Sequence, residues 1–322
     1  MENQGLHKYN GLVIKTSYFN VAHNVWGKKL GIVNIYMIAS STDFGQWVLV
    51  DAGMKGYHNE IIDMAEQLFG DYPPSAIILT HGHFDHVGSL KVLLEKWDVP
   101  VYAHQAELPY LTGRTYYPSP DPSVGGGLLS LLSFTFPSKP IDLGSKIHAL
   151  THDGMVPFLP EWEMLFTPGH TPGHISLYRD EDKVLIAGDA FVTTKQESII
   201  YALTQWKHIS GPPKYFTPDW ISAAQSVRNL ANLQPATAAT GHGLPMSGEE
   251  LETNLTYLAS HFEELAVPKH GKYVPINLNT IQRRKAGKAK LINSVCGITL
   301  FALAAYTSFL VLDSIAEMRN KS

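Results

Sequence analysis

The chain has 322 residues, 44% hydrophobic and 17% charged, a composition typical of one large globular domain with an appendage. Its single cysteine, Cys296, excludes a disulfide framework. The net charge of −4 hides an asymmetry, because residues 283–322 carry seven Lys or Arg against two acids and the first 282 residues therefore carry −9. An acidic body argues against a nucleic-acid partner, which requires a basic face for the phosphates.

The first half of the sequence predicts strands that alternate with helices. Apolar, β-branched runs predict strands over 33–39, 47–51, 76–80 and 99–104. Apolar residues at helical spacing predict a helix over 58–69, and further helices are expected near 88–96 and 105–112. Residues 116–127 are rich in Pro, Gly and Ser, which predicts an irregular segment.

A cluster of metal-ligand types follows the strand predicted over 76–80. His81-Gly-His83-Phe-Asp85-His86 places three imidazoles and one carboxylate within six positions. Imidazole and carboxylate ligands suit zinc and its chemical neighbours. The carboxyl end of a strand is also where open α/β sheets usually place their sites. The spacing therefore predicts metal ligands in this loop.

The second half repeats the arrangement of a strand, a glycine and a ligand-type side chain. Strands are predicted over 146–150, 164–168, 175–179 and 183–189. His170 follows one of these strands in Gly-His-Thr-Pro-Gly-His, and Asp189 ends another. His242 follows a further apolar run in Gly-His-Gly. We interpret His174, at the end of the first of these motifs, as a structural, hydrogen-bonded histidine.

Two helices are predicted after the last strands. Asp219 is the expected N-cap of a helix that ends near Leu233. Ser247-Gly-Glu-Glu250 has the form of a capping box and predicts a final helix through about Leu265. These elements complete a catalytic domain at residues 1–265.

An apolar segment near the end of the sequence predicts a membrane anchor. Residues 291–312 carry no charge and would form a helix of about 33 Å, close to the roughly 30 Å hydrocarbon core of a bilayer. The linker 266–290 before it is basic, and only a short tail, 313–322, follows. Because basic flanks stay on the cytoplasmic side, the catalytic domain is expected in the cytoplasm. The alternative is a buried or partner-packed helix in a soluble cytoplasmic protein.

Taken in order, the motifs His-x-His-x-Asp-His, Gly-His-Thr-Pro-Gly-His, Gly-Asp and Gly-His-Gly resemble the metallo-β-lactamase superfamily. The resemblance covers about residues 30–260, and Gln46-Trp-Val-Leu-Val-Asp51 is similar to the first strand motif of that family. It implies an α/β fold, a four-layer αβ/βα sandwich, to which the C-terminal hydrophobic helix would be appended. Strands and helices that alternate in two halves also suggest this sandwich.

The resemblance implies a ligand set for two divalent metal ions. The ligands would form a first group of His81, His83 and His170 and a second group of Asp85, His86 and His242. Asp189 would bridge the two metals, and Asp51 would hold a ligand loop without touching metal. Zinc is the expected metal, with iron and manganese as alternatives that accept the same ligand types.

Two differences from known branches of the family indicate which branch the chain resembles most. Class B β-lactamases use a cysteine ligand in their second site, whereas Cys296 lies in the apolar tail. Flavodiiron-type relatives have a glutamate at the position of His83. The pattern is therefore most similar to glyoxalase II and lactonase-like hydrolases. An insertion at 113–145 carries aromatic residues that either contact substrate or pack on the surface.

These implications predict a binuclear metallo-hydrolase that cleaves an ester, lactone or thioester of a small-molecule substrate. A metal-bridging hydroxide would attack the substrate, and Asp85 would orient it and pass a proton to the leaving group. One alternative is a mononuclear iron sulfur dioxygenase, which resembles the same family. Others are a membrane-tethered phosphodiesterase-type hydrolase and a membrane-tethered binding module without turnover.

Overall fold

Two mixed β-sheets with flanking helices make up the fold. The computed structural model describes residues 6–9, 12–15, 18–43, 45–151, 153–204 and 206–275. Residues 1–273 belong to one compact unit. The hydrophobic helix predicted at 291–312 and the tail lie outside the described residues, as does the basic part of the linker.

The strands of the first sheet follow one another in sequence order. A separate hairpin precedes them and pairs β1 (Leu6–Tyr9) with β2 (Leu12–Lys15). The sheet then contains β3 (Phe19–Ala22), β4 (Val25–Leu30), β5 (Val33–Ala39), β6 (Trp47–Val50), β7 (Ala76–Ile78), β8 (Val101–Ala103) and β9 (Ile147–Ala149). Strands β3 to β6 pair antiparallel, and β6 to β9 pair parallel. The parallel strands bring the loops after β6, β7 and β8 to one edge.

The second sheet contributes loops to the same site. Its strands are β10 (Glu163–Phe166), β11 (Ile175–Arg179), β12 (Val184–Gly188), β13 (Thr237–Thr240) and β14 (Met246–Ser247). Strand β12 runs parallel to β13, and the other neighbours are antiparallel. Asp189 follows the carboxyl end of β12, and His242 follows that of β13. The two residues therefore lie at the same edge of the sheet.

Nine α-helices are found in the described residues. They are α1 (His58–Phe69), α2 (Phe84–Val87), α3 (Leu90–Lys96), α4 (Leu108–Leu111), α5 (Leu128–Leu132), α6 (Ile199–Thr204), α7 (Trp220–Asn232), α8 (Gly248–Ser260) and α9 (Phe262–Leu265). The longer ones, α1, α7 and α8, pack with α3 on the outer faces of the sheets. Short 3₁₀ turns include Gln105–Glu107 and Lys214–Phe216. Among these described helices, none combines the length and apolarity needed to cross a bilayer.

Three layers of buried apolar side chains lie between the helices and the sheets. The first packs α1 and α3 against the first sheet, through residues such as Ile61, Leu93 and Ile77. The middle layer joins the two sheets, with Ile38 and Ile78 in the same cluster as Leu177 and Ile186. The third packs α7 and α8 on the second sheet, as shown by Ala187, Val227 and Leu251. The order helix, sheet, sheet, helix is that of the predicted sandwich, and burial of apolar surface stabilises each layer.

Most predicted elements are present within a few residues of their expected ends, and Asp219 does cap α7. Its Oδ1 accepts hydrogen bonds from the backbone amides of Ile221 and Ser222 at 3.1 and 3.0 Å. The last helix begins where the capping-box sequence predicted, but the capping hydrogen bond itself is absent. Ser247 occupies the N-cap position of α8, but its side chain makes no capping hydrogen bond, and its backbone pairs with Thr237 in the sheet. The final helix is also broken at His261 into α8 and α9.

Candidate metal centre

All seven side chains predicted as metal ligands meet at the sheet edges described above. Their nitrogen and carboxylate oxygen atoms fall into three overlapping groups, each with all its atoms within 4.8 Å of one another. The groups are His81, His83 and His170; His81, His86 and Asp189; and Asp85, His86 and His242. All seven residues are buried. The set His81, His83 and His170 has the same members as the first group implied by the resemblance, and the set Asp85, His86 and His242 has the same members as the second. The names first group and second group refer to these two sets from here on.

Asp189 lies between the first and second groups. Its Oδ2 is 3.5 Å from Nε2 of His170, which belongs to the first group. The same oxygen is 3.1 Å from Nε2 of His242 and 3.6 Å from Nε2 of His86, both of the second group. One carboxylate therefore faces ligand atoms of both groups.

Hydrogen bonds donated by Nδ1 fix the orientation of the second group's imidazoles. The ring of His86 donates from Nδ1 to Oδ2 of Asp51 at 2.8 Å. The ring of His242 donates from Nδ1 to the carbonyl of Ile32 at 2.7 Å. When such a ring is neutral, the other nitrogen carries a lone pair, so Nε2 of each ring is the atom that could bind a metal ion at the centre.

The first group is oriented by two threonines. Nδ1 of His81 lies 3.1 Å from Oγ1 of Thr80, and Nδ1 of His170 lies 3.3 Å from Oγ1 of Thr217. His83 differs, because its Nδ1 faces the centre, 3.0 Å from Nε2 of His170. Two imidazole nitrogens so close together are favourable when a cation lies between them or a proton is shared.

Asp51 supports the ligand loop and lies outside the three groups. Its Oδ1 accepts from the amide of Thr80, and its Oδ2 accepts from the Thr80 hydroxyl and from His86, all at 2.8 Å. The residue has φ of +62°, a left-handed backbone conformation that is unfavourable for a non-glycine residue. The hydrogen bonds of its carboxylate hold it there.

Burial and mutual repulsion keep the first group's imidazoles neutral. Burial, together with neighbouring imidazoles such as His86, lowers the pKa of His81 well below its ordinary value. Burial likewise places the pKa of His170 well below its ordinary value and lowers that of His83 to about 3. Neutral imidazoles carry the lone pairs that a metal ion requires.

Carboxylates dominate the second group. Burial acts to lower the pKa of His86, but Asp51 and Asp189 outweigh it and raise that pKa well above the ordinary value. Burial also acts to lower the pKa of His242, and Asp189 again raises it. The same imidazoles hold the pKa of Asp189 well below its usual range, although burial opposes this. Burial raises the pKa of Asp85.

Three atoms at the centre lack hydrogen-bond partners among the described residues. They are buried and consist of two imidazole nitrogens and one carboxylate oxygen: Nε2 of His81, Nε2 of His86 and Oδ1 of Asp189. Buried polar atoms are nearly always satisfied, so this arrangement calls for a bound species. Lone pairs of nitrogen and oxygen that converge on one point fit a divalent cation.

His174 lies close to the centre but serves the scaffold. Its Nε2 accepts the backbone N–H of Asp189 at 2.8 Å, and its Nδ1 lies 2.8 Å from Oγ1 of Thr167. Both ring nitrogens are thus used by protein groups. This hydrogen bonding agrees with the interpretation of His174 as a structural residue.

A buried glutamate beside the centre was missed by the sequence analysis. Glu107 is fully buried, lies four residues after β8 and accepts hydrogen bonds from both ligand-bearing loops. Burial raises its pKa, and hydrogen bonds from Tyr117 and Thr171 oppose that effect. One signal was available, because β8 is the parallel neighbour of β7 and its following loop had to reach the same edge.

An aromatic wall stands beside the first group. The ring of Phe216 stacks on His83 with centroids 4.5 Å apart, and the ring of Tyr117 lies at 4.6 Å. Phe136 is 6.1 Å from Phe216 and 5.6 Å from Phe84. Tyr117 and Phe136 come from the insertion at 113–145, which therefore forms part of the surroundings of the centre.

Comparison with known proteins identifies the family. The family model described as the metallo-beta-lactamase superfamily matches residues 29–242. A probable metallo-hydrolase of Bacillus subtilis, YflN, is 47% identical over 248 residues, which are 77% of this chain and 94% of that protein. A hydroxyacylglutathione hydrolase of Haemophilus influenzae, GloC, is 30% identical over 141 residues, 44% of this chain and 59% of that protein.

Solved structures agree on the fold. A metallo-beta-lactamase family protein from Thermus thermophilus superposes with a TM-score of 0.53 at 19% identity, covering 76% of this chain and 81% of that one. A beta-lactamase domain protein from Burkholderia ambifaria also gives a TM-score of 0.53, at 21% identity, with 76% of each chain covered. At these identities the likeness concerns the arrangement of sheets and helices alone.

Proposed function

The chain belongs to the metallo-β-lactamase superfamily, and on that premise we propose that it is a binuclear metallo-hydrolase of an ester, lactone or thioester. The observation that carries the proposal is the convergence of seven buried side chains into overlapping groups of ligand atoms. The relative named hydroxyacylglutathione hydrolase supports an acyl group as the part of the substrate that reacts.

Two metal ions would be held by the first and second groups, with Asp189 shared between them. When bound, such ions lower the pKa of a water ligand to about 7 and polarise a carbonyl. Zinc suits the mixed imidazole and carboxylate set, and iron or manganese would also be accepted. The completeness of the second group supports two metals over the mononuclear sulfur dioxygenase alternative.

Asp85 is the residue that we propose handles the proton. Its Oδ2 lies 3.6 Å from Nε2 of His242, so the carboxylate faces the centre. From this position the carboxylate could accept a proton from the attacking water and return it to the leaving group. Asp85 would therefore orient the attacking water and protonate the leaving group.

The aromatic wall would bind the acyl portion of the substrate. The wall contains Phe216 and Tyr117 next to His83, and Phe84 and Phe136 behind them. Apolar rings favour a carbon chain, because burial of apolar surface is favourable and no charged group is left unpaired. This supports an acyl ester, lactone or thioester over a phosphodiester.

The proposal is tested by measuring metal content and activity on the same samples. Full-length protein, the His83→Ala variant and the His148→Ala control, which alters an exposed histidine, are compared by elemental analysis. Each is then assayed on a panel of esters, lactones, thioesters and phosphodiesters, with oxygen uptake recorded. We expect two zinc ions in the wild type and in the control, and a lower metal content together with lower activity in His83→Ala.

Other outcomes would contradict the proposal. An active, metal-free His83→Ala variant would remove the metal from the mechanism. One iron per chain with oxygen uptake would favour the dioxygenase, and turnover of phosphodiesters alone would favour the phosphodiesterase.

Membrane tethering by residues 291–312 is a separate proposal, based on the uncharged run and its basic flank. Fractionation of the full-length protein tests it. A tethered protein stays with membranes after a carbonate wash and is released by detergent. Recovery in the aqueous fraction without detergent would exclude the anchor and leave the catalytic proposal unchanged.

A further inference from the structure

Glu107 links the two loops that carry the first group of ligands. The residue follows β8 in a 3₁₀ turn and is fully buried. Its carboxylate accepts hydrogen bonds from four donors, which are the Gly82 amide, the Tyr117 hydroxyl, the Thr171 hydroxyl and the Gly173 amide. A carboxylate with this many donors is well satisfied although it is buried.

The four donors lie on three segments. Oε2 accepts from Gly82 at 3.0 Å, and Gly82 lies between the first-group residues His81 and His83. Oε1 accepts from Thr171 at 2.7 Å and from Gly173 at 2.8 Å, in the loop that carries the third first-group residue, His170. The backbone bond from Ile175 to Thr80, 3.0 Å long, joins the same two segments at their base. Glu107 joins them further out, next to the ligands.

Glycines in both motifs allow the close packing around Glu107 and its partner Tyr117. A Cβ atom on Gly82 would lie 2.6 Å from the Tyr117 hydroxyl. A Cβ atom on Gly173 would lie 2.7 Å from both Cγ and the backbone nitrogen of Glu107. Because real Cβ atoms do not approach so closely, a larger residue at Gly173 would push its loop away from Glu107, and one at Gly82 would displace the Tyr117 hydroxyl that donates to Glu107. The two loops are thus shaped around one carboxylate.

The second group is held by different partners. Asp51 accepts from His86 at 2.8 Å, and the carbonyl of Ile32 accepts from His242 at 2.7 Å. Neither acceptor belongs to the contacts of Glu107. A change at Glu107 should therefore disturb the spacing of the first group and leave the second in place.

We propose that Glu107 is a positioning residue that sets the metal affinity of the first group selectively. The inference rests on the proposed two-metal function. Residues that orient metal ligands typically change metal affinity by about 10- to 100-fold when they are replaced. In Glu107→Gln the side chain keeps its size but becomes neutral and gains two donors, so at least one loop loses its acceptor.

The test is a zinc titration of chelator-stripped, full-length protein against a competing chromophoric chelator. We expect Glu107→Gln to weaken one of two zinc sites by about 10- to 100-fold, and the other by less than about threefold. The exposed carboxylate Glu252 provides the control Glu252→Gln, which should leave both sites unchanged. Saturating zinc should restore kcat in Glu107→Gln, which a general loss of folding would prevent.

Double variants identify the affected site. In a His242→Ala background, where the first group alone is complete, Glu107→Gln should again cost about 10- to 100-fold in zinc affinity. In a His83→Ala background it should cost less than about threefold. Equal effects in both backgrounds, or none in either, would overturn the selective role.

Failure of the inference is separable from failure of the proposed function. A wild type that binds two zinc ions, with both affinities unchanged in Glu107→Gln, overturns only the role of Glu107. A wild type without two zinc sites overturns both. Thr171→Val removes one of the four hydrogen bonds to Glu107. This variant tests the role of Glu107 if Glu107→Gln does not fold. It should weaken the first site by about 3- to 10-fold, and unchanged affinity would contradict the proposal.

Discussion

The first and second groups occupy one centre but differ in charge. The first group consists of three imidazoles, and burial lowers the pKa of each. The second contains Asp85, and the carboxylates around His86 and His242 raise the pKa of both rings. A cation that enters the first group meets neutral lone pairs, whereas one that enters the second competes with protons. Ligand types that look alike in the sequence thus become two different sites through their neighbours.

Removal of the carboxylate shared by both groups should have the largest effect. Asp189→Ala removes an oxygen that faces His170, His86 and His242. We expect metal content to fall in both positions and kcat/KM to drop by roughly 10³-fold, because stabilisation worth several kcal/mol is lost. Elemental analysis and steady-state kinetics measure the two effects. The exposed Asp71→Ala serves as the control. Retention of two metals would contradict the shared role.

A change confined to the second group should separate chemistry from binding. Asp85→Asn removes the charge of the carboxylate and its capacity to carry a proton. We expect kcat to fall by about 10²- to 10³-fold, with KM changed by less than about threefold. Initial rates over a range of substrate concentrations give both constants. Near-normal turnover would refute the proton-transfer role.

Asp51→Asn should lower the metal affinity of the second group more than that of the first. The substitution removes the charged acceptor of His86, whereas His81 is reached only through Thr80. We expect metal affinity to fall by about 10- to 100-fold in the second position, and by less in the first. The zinc titration described for Glu107 measures both. An equal loss in the two positions would show that Asp51 serves the groups alike.

The smallest effect is expected for the aromatic wall. Phe216→Leu keeps an apolar side chain but removes the ring that stacks on His83. We expect metal content to stay the same and kcat/KM for long-chain acyl esters to fall by at most about tenfold, with short-chain esters less affected. A series of p-nitrophenyl esters of increasing chain length tests this. A loss that does not depend on chain length would argue against an acyl-binding wall.

The convergence of the seven candidate ligands could be predicted because each follows a strand end. His81, Asp189 and His242 follow strands that pair parallel with a neighbour, which brings their loops to one edge. His170 follows β10, which runs in the same direction as β12 because both pair antiparallel with β11. Glu107 could not be recognised in the same way. Its importance depends on hydrogen bonds to residues 25 and 66 positions away, and such contacts leave no local pattern.

Among the elements that the sequence analysis did not predict, β4 and α6 have local features that explain the omission. Strand β4 contains Gly27, Lys28 and Lys29, which interrupt the apolar alternation that marks a strand. Lys28 is nevertheless buried. Helix α6 exposes Ile200 and Leu203, so its apolar residues do not mark a core-facing stripe.

The centre draws His81, His83, Asp85 and His86 from the first sheet, and His170, Asp189 and His242 from the second. Bound ions would therefore fasten the two halves of the sandwich to each other, and neither half could open without releasing them. Ligands that bind only the native state stabilise it more as their concentration rises. In a cell short of metal, the protein should then be more open to proteases, so that metal supply governs how long the enzyme survives as well as how fast it works.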